Sequence, residues 1–326
     1  MATTTMTMAK ALNEGLRRSM EKNKKVLLMG EDIGKLGGVF RITDGLQKDF
    51  GEDRVIDAPL AESAIVGTAV GLAIRGYRTI VEIQFDGFVY PAFDQIVSQV
   101  AKLHKRSDGV YNMGLVIRLP FQGGIGAIEH HSESPEAYFA HTAGLRVVSC
   151  STANDAYWMI QQSIEHDDPI IFCEPMSRYW EKGEVDLENP ASGLFDAVVR
   201  REGTDVTIVG YGASLKTILR AADTAQTEGI SVEVIDARSL APLDLETMSR
   251  SIQKTGRLIA VQEAPHTASV GSEIVAELSE RCFYSLRAPG VRVSGYHVPY
   301  PPTRLEDDYR PTVDRILDAV DRVMGF

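Results

Sequence analysis

Two three-layer α/β domains in tandem are the architecture this sequence predicts. Short apolar runs alternate with segments of helical period along most of the chain, as in a parallel sheet covered on both faces. A chain of 326 residues, 44% of them hydrophobic, is long for one ordinary domain and rich enough for two cores. Between Glu181 and Thr204 the alternation lapses into Gly, Pro, Asn and mixed charge, which suits a crossing between domains. The expected boundaries are 1–185 for the first domain, 186–204 for a linker and 205–326 for the second domain.

The first half reads in order. Thr7 can cap a helix whose apolar stripe is Met8, Leu12, Leu16 and Met20. Val26–Met29, closed by Gly30, suits a buried strand. Ala61–Ile74 reads as a helix that is apolar nearly all round, ended by Gly76. Such a helix belongs inside a domain or at an interface, and Gly67 and Gly71 would let another backbone come close. Thr79–Phe85 is strand-like. Pro91–Leu103 follows as a helix with Pro91 in its first turn. Strands are expected at Leu115–Leu119, Arg146–Ser149 and Pro169–Cys173, with a helix at Asn154–His166 between the last two.

The second half repeats the pattern. Its expected strands are Asp205–Val209, Ser231–Ile235, Arg257–Val261 and Val291–Val293. Its expected helices are Ser214–Thr227, Leu245–Lys254, Ser272–Ser279 and Thr312–Met324. No fixed-period repeat or low-complexity tract is visible.

Composition narrows the function classes. A net charge of −11 provides no electrostatic footprint for nucleic acid or an anionic membrane. The three cysteines, Cys150, Cys173 and Cys282, are far apart and odd in number, which suits small buried hydrophobes in a reducing compartment. The N-terminal residues lack the basic and apolar regions of a signal peptide, and no apolar run approaches the ~20 residues of a membrane span. A soluble, cytoplasmic protein is expected.

Several motifs carry possible chemistry. Gly210-Tyr-Gly212 follows a strand and opens a helix, with Asp236 near the place of a ribose-binding acid; this is a partial dinucleotide fingerprint, and a tight turn explains it equally. No phosphate-binding P-loop motif occurs. Gly123-Gly124-Ile125-Gly126 leads into Glu129-His130-His131-Ser132-Glu133. This has the composition of a mobile loop bearing a metal site, a solvated face or an acid–base histidine, the last favoured because imidazole titrates nearest neutrality. Glu62 stands just inside the apolar Ala61–Ile74 helix. It can cap that helix, or be a carboxyl whose burial favours the protonated form. The aromatic-rich block Glu82–Ile96 sits at a strand-to-helix junction, where open α/β sheets bind ligands.

Taken together, Gly30-Glu31-Asp32, Gly37-Gly38-Val39-Phe40-Arg41, Pro59-Leu60-Ala61-Glu62, Glu82-Ile83-Gln84-Phe85, Phe93-Asp94-Gln95-Ile96, His131-Ser132-Glu133-Ser134-Pro135-Glu136 and Asp168-Pro169-Ile170-Ile171-Phe172 resemble the β subunits of thiamine-diphosphate-dependent 2-oxo acid dehydrogenases, the E1 components, within the transketolase-like group. The resemblance covers nearly the whole chain. It implies a pyrimidine-binding domain followed by a transketolase C-terminal-like domain.

The same resemblance implies a division of labour. The first domain holds the aminopyrimidine ring of thiamine diphosphate, and an α subunit holds the diphosphate and its Mg²⁺. Glu62 matches the glutamate that shares a proton with the ring nitrogen, favouring the imino tautomer that activates the cofactor. Leu60, Gln84 and Phe88 match pocket positions beside the ring. Phe88 replaces a frequent tyrosine, so stacking survives and a phenol hydrogen bond does not. His131 matches a loop histidine that protonates the lipoyl group during acyl transfer, although the neighbouring His130 leaves two imidazoles to choose between. No metal ligand is expected in this chain: none of its Asp-Gly pairs has the leading Gly of the group's metal-binding Gly-Asp-Gly segment. The implied assembly is an α2β2 heterotetramer that oxidatively decarboxylates a 2-oxo acid and reductively acylates a lipoyl-bearing E2 acyltransferase. The His131–Glu136 block looks most like branched-chain enzymes. A pyruvate or acetoin enzyme is the alternative, and a non-catalytic scaffold subunit is the alternative of another class.

Overall fold

The computed structural model describes residues 3–326. Its strands, in chain order, are β1 (Thr3–Thr7), β2 (Val26–Gly30), β3 (Val55–Asp57), β4 (Arg78–Glu82), β5 (Leu115–Phe121), β6 (Arg146–Ser149), β7 (Ile170–Pro175), β8 (Lys182–Asp186), β9 (Val198–Arg201), β10 (Val206–Gly210), β11 (Val232–Asp236), β12 (Ser239–Ala241), β13 (Leu258–Pro265) and β14 (Val291–Gly295). They form a seven-stranded sheet ordered β12-β6-β7-β5-β4-β2-β3, a five-stranded sheet ordered β14-β13-β10-β11-β9, and the pair β1-β8. Within the two large sheets every pairing is parallel except β12 with β6 and β9 with β11.

The period of two sorts side chains onto the faces of the first sheet. Ile80, Val116, Ile170 and Phe172 join a core under the helices Met8–Lys22 and Ala153–Glu165. Their neighbours Val81, Ile117, Ile171 and Cys173 face the other way, towards the helix Glu62–Ile74. Thr7 caps the first helix as its position predicted, accepting from the Lys10 N–H at 3.2 Å. The second core is continuous with residues of the second sheet, including Val209, Tyr211, Ile235 and Ala260. The far face of the second sheet packs Ile208, Val234 and Ile259 with Ile218, Ile316 and Val320 of the helices Ser214–Thr227 and Val313–Met324. The two halves therefore share one apolar layer.

Four features differ from the sequence reading. Pro91–Leu103 is not one α-helix. Asp86–Ala92 is a 3₁₀ helix containing Pro91, Gln95–Val100 is a π-helix, and only Leu103–Arg106 is α-helical. Proline offers no N–H to close a regular turn, and the widened π turn follows directly after. Residues 186–204, expected as a linker, contain β9, which edges the second sheet, while β8 just before them pairs with β1. Finally, β12 comes from the second half yet edges the first sheet. The Glu62–Ile74 helix also buries only one side: Ile65, Val66, Ala69 and Ala73 are covered, whereas Ser63, Ala64, Thr68 and Gly71 are exposed. Cys150, Cys173 and Cys282 are all buried and unpaired. No helix among the described residues is long and apolar enough to cross a membrane.

Candidate active site

The strands β5, β4, β2 and β3 are neighbours in the first sheet and run in parallel, so their C-terminal ends lie along one edge. Each delivers chemistry directly after its last residues. Glu31 follows β2. Leu60 and Glu62 follow β3. Gln84, Phe85 and Phe88 follow β4. The loop carrying His131 follows β5. A parallel sheet gathers ligand-binding groups at this edge because the loops and helix N-termini converge there.

Glu62 is the first residue of its helix and is only 8% exposed, and no side chain caps that helix. Its carboxylate stands close enough to Glu31 to repel it. Burial raises the Glu31 pKa first, the Glu62 charge adds to that, and the bond Glu31 accepts from the Ala61 N–H opposes both. Glu31 Oε1 is buried with no partner. Gln84 Nε2 donates to the Glu31 carbonyl at 3.4 Å, tying the two strand ends together. Leu60 is 81% exposed, an apolar side chain with almost nothing of its own chain against it.

The histidines separate clearly. The His131 ring lies 4.1 Å from Phe85 and 5.1 Å from Phe88, centroid to centroid, and its Nδ1 is buried without a partner. Burial and then the neighbouring His130 lower its pKa, with Glu129 opposing. His130 is exposed, 6.1 Å from the Phe88 ring, with Nδ1 3.6 Å from Glu129. The backbone at His130 rests on Gly87, where any Cβ would come within 2.6 Å of it. Thus Glu62, Glu31 and Gln84 form one group and Phe85, Phe88 and His131 another, joined through the consecutive residues Gln84 and Phe85.

Behind them lies a polar layer that the sequence reading did not single out. Arg118 in β5 is fully buried. It donates to Glu174 in β7 from Nε at 2.7 Å and from Nη2 at 2.8 Å, and to Glu82 in β4, while Tyr179 donates to Glu174 at 2.7 Å. The lone charge inside the apolar run Leu115–Phe121 was the available signal for this network. Asp86 accepts from the Glu133 N–H at 2.9 Å, and burial pushes its pKa up to about 8. Burial pushes Glu136 to about 7 while it accepts from the Tyr211 hydroxyl at 2.7 Å. Glu31 was legible only as part of a short Gly-Glu-Asp motif.

Buried orphan atoms on Glu31 and His131, a carboxyl at a helix start and the Phe85 and Phe88 rings together fit a flat, nitrogen-rich ring. None of these residues lines the cleft of about 770 Å³ between the two halves, which is bordered by Tyr90, Glu133, Tyr138, His297 and Tyr300. They stand at the C-terminal edge of the sheet, with Glu31 and Glu62 buried and Phe85, Phe88 and His131 half-buried. Among the described residues, no group of three or more His, Cys, Asp or Glu side chains is disposed to hold a metal ion.

Comparison with known proteins places these features in context. Residues 4–180 match the family described as transketolase, pyrimidine binding domain, and residues 196–316 match transketolase, C-terminal domain. The chain is 59% identical over 320 residues, 98% of its length and 95% of the relative's, to pyruvate dehydrogenase E1 component subunit beta of Leifsonia xyli subsp. xyli. It is 50% identical over 323 residues, 99% of its length and 93% of the relative's, to 3-methyl-2-oxobutanoate dehydrogenase subunit beta of Mycobacterium tuberculosis. A solved split-gene transketolase, an inactive β4 tetramer, shares the fold with a TM-score of 0.80, 21% identity and 98% coverage of both chains.

Proposed function

We propose, from the premise that this chain belongs to the E1 β subunits of 2-oxo acid dehydrogenases, that it forms the pyrimidine-binding half of a thiamine-diphosphate site completed by an α subunit. The assembly, an α2β2 heterotetramer in the cytoplasm, oxidatively decarboxylates a 2-oxo acid and passes the acyl group to a lipoyl-bearing E2 acyltransferase. One observation carries this reading: at the C-terminal edge of a parallel sheet Glu62 stands beside Glu31, Gln84 bonds the Glu31 carbonyl, and Phe88 packs on His131.

Bound thiamine diphosphate supplies a nucleophilic carbon and an electron sink for decarboxylation. The protein's own residues do the rest. Glu62 holds a proton at the pyrimidine nitrogen. Burial and then the Glu62 charge disfavour ionisation of the neighbouring Glu31. Phe88 and Phe85 present apolar faces beside the ring, and exposed Leu60 awaits cover from it and from the α subunit. His131 supplies a proton to the lipoyl sulfur that leaves as the acyl group is transferred. Its lowered pKa makes it the stronger acid whenever it is protonated. The exposed Ser63, Ala64, Thr68 and Gly71 face of the Glu62–Ile74 helix is the surface on which another subunit packs.

Pyruvate is the substrate we assign. The relative at 59% identity carries a pyruvate dehydrogenase name, which outweighs the branched-chain likeness of the His131–Glu136 block. The relative at 50% identity keeps 3-methyl-2-oxobutanoate as the second reading. Turnover of the two acids by the chain combined with its α subunit decides between them. Calorimetry of the chain alone with thiamine diphosphate and Mg²⁺ tests the division of labour. Weak binding is expected, and micromolar binding without a partner would overturn it.

A further inference from the structure

The loop that carries His131 is anchored by the second half of the chain. Its neck is closed within the first half, where the Gln122 N–H donates to the Glu133 carbonyl at 2.9 Å and the Glu133 N–H donates to Asp86 at 2.9 Å. Its base is held from across the domain boundary. Glu306, buried between the halves, accepts the Gly124 N–H at 2.6 Å on one carboxylate oxygen and the Gly126 N–H at 3.2 Å on the other. The Tyr300 hydroxyl donates to the first of those oxygens at 2.8 Å. Thr303 donates to the Gly126 carbonyl at 2.9 Å, and the Gly123 N–H donates to Glu263. The glycines are required by this approach: a Cβ on Gly123 would overlap the Tyr300 hydroxyl, and Gly124 and Gly126 have φ of +89° and +70°. Beyond Gly126 the segment is held by local bonds, such as His131 N–H to the Ile128 carbonyl at 3.0 Å. The rigid base is therefore what fixes where His131 begins its approach to Phe85 and Phe88.

We propose that Glu306 is a positioning residue for His131, so that the second domain takes part in acyl transfer by holding the catalytic loop. This rests on the reading of His131 as the proton donor in that step. The bidentate geometry is the reason Glu306 does this and an amide cannot. A glutamine has one acceptor oxygen, and its NH₂ would face either the Gly124 or the Gly126 N–H, donor against donor.

The test uses the assembled E1 with its α subunit and compares wild type, Glu306→Gln, His131→Ala and the double variant. Glu306→Gln is expected to accelerate amide exchange across residues 123–131 and to slow acyl transfer to a lipoyl domain by about 10- to 100-fold, the scale of a misplaced catalytic group. Decarboxylation read with an artificial acceptor should stay within about twofold, since it does not use the His131 proton. In the His131→Ala background, Glu306→Gln should cost no further transfer. Unchanged exchange, unchanged transfer, or a full additional loss without His131 would each overturn the proposal. If Glu306→Gln does not assemble, Tyr300→Phe removes one donor from Glu306, and unchanged exchange in that variant overturns it equally. A His131→Ala variant that loses both reactions alike would instead sink the reading of His131, while the exchange data still decide whether Glu306 anchors the loop.

Discussion

The imidazole of His131 lies 4.1 Å from the ring of Phe85, in contact with the residue that directly follows Gln84. This contact seats the His131 ring against Phe85 and Phe88, while His130 is exposed. His131→Ala is expected to slow acyl transfer to a lipoyl domain by about 10²- to 10⁴-fold, with a much smaller effect on decarboxylation measured with an artificial acceptor. Because burial lowers its pKa, the wild-type transfer rate should decline with rising pH from below the usual histidine range, and the variant should lose that limb. A selective loss in His130→Ala instead would move the role from His131 to His130.

Glu62→Gln should keep the fold, because the side chain remains at a helix start where a neutral group is tolerated. It should nearly abolish exchange of the cofactor's thiazolium proton in the αβ complex, since an amide cannot hold and release the proton on the ring nitrogen. Wild-type exchange rates in the variant would reduce Glu62 to a favourable charge at a helix start.

Asp86 makes stability depend on pH. With its folded pKa near 8, the folded protein keeps a proton that the unfolded chain releases above about pH 4. The stabilisation from this group is full below about pH 4, declines as pH rises towards about 8 and is flat beyond, with a slope of at most about 1.4 kcal/mol per pH unit. Between about pH 5.5 and about pH 7.5, Asp86→Asn should gain about 1–2.5 kcal/mol relative to wild type in denaturant melts. A difference that does not vary with pH would show Asp86 ionised throughout.

Arg118→Met should destabilise the protein by about 3–5 kcal/mol, because it strands the carboxylates of Glu82 and Glu174 in the core. Adding Glu82→Gln and Glu174→Gln should recover much of that loss. Failure of the triple variant to recover would mean that Arg118 acts by packing alone, a result the same melts would reveal.

The long elements were legible in the sequence because apolar period and capping agree there: Thr7 before Met8, or the apolar run of β10 before Ser214. The broken helices after Asp86 were not, because Pro91 is compatible with a first turn as well as with a 3₁₀ segment. Short edge strands such as Ser239-Leu-Ala are too brief to show a period. The proposed site residues Glu62, Gln84, Phe88 and His131 stand in recognisable sequence motifs. Their supports do not. Glu306 lies in the other half of the chain and reaches the base of the His131 loop through the backbone N–H groups of Gly124 and Gly126, a pairing that no local pattern announces.

The strand β12 also fixes an order of events during synthesis. The chain emerges N-terminus first, so β6 is complete at Ser149 while its edge partner Ser239–Ala241 is still unmade. At about 5–20 residues per second, the ribosome leaves that edge uncovered for on the order of ten seconds. For that interval the nascent first sheet offers unpaired backbone groups to other chains. A fragment ending at residue 204 would lack the strand that covers this edge, so residues 239–241 guard the first sheet against edge-to-edge pairing with other chains.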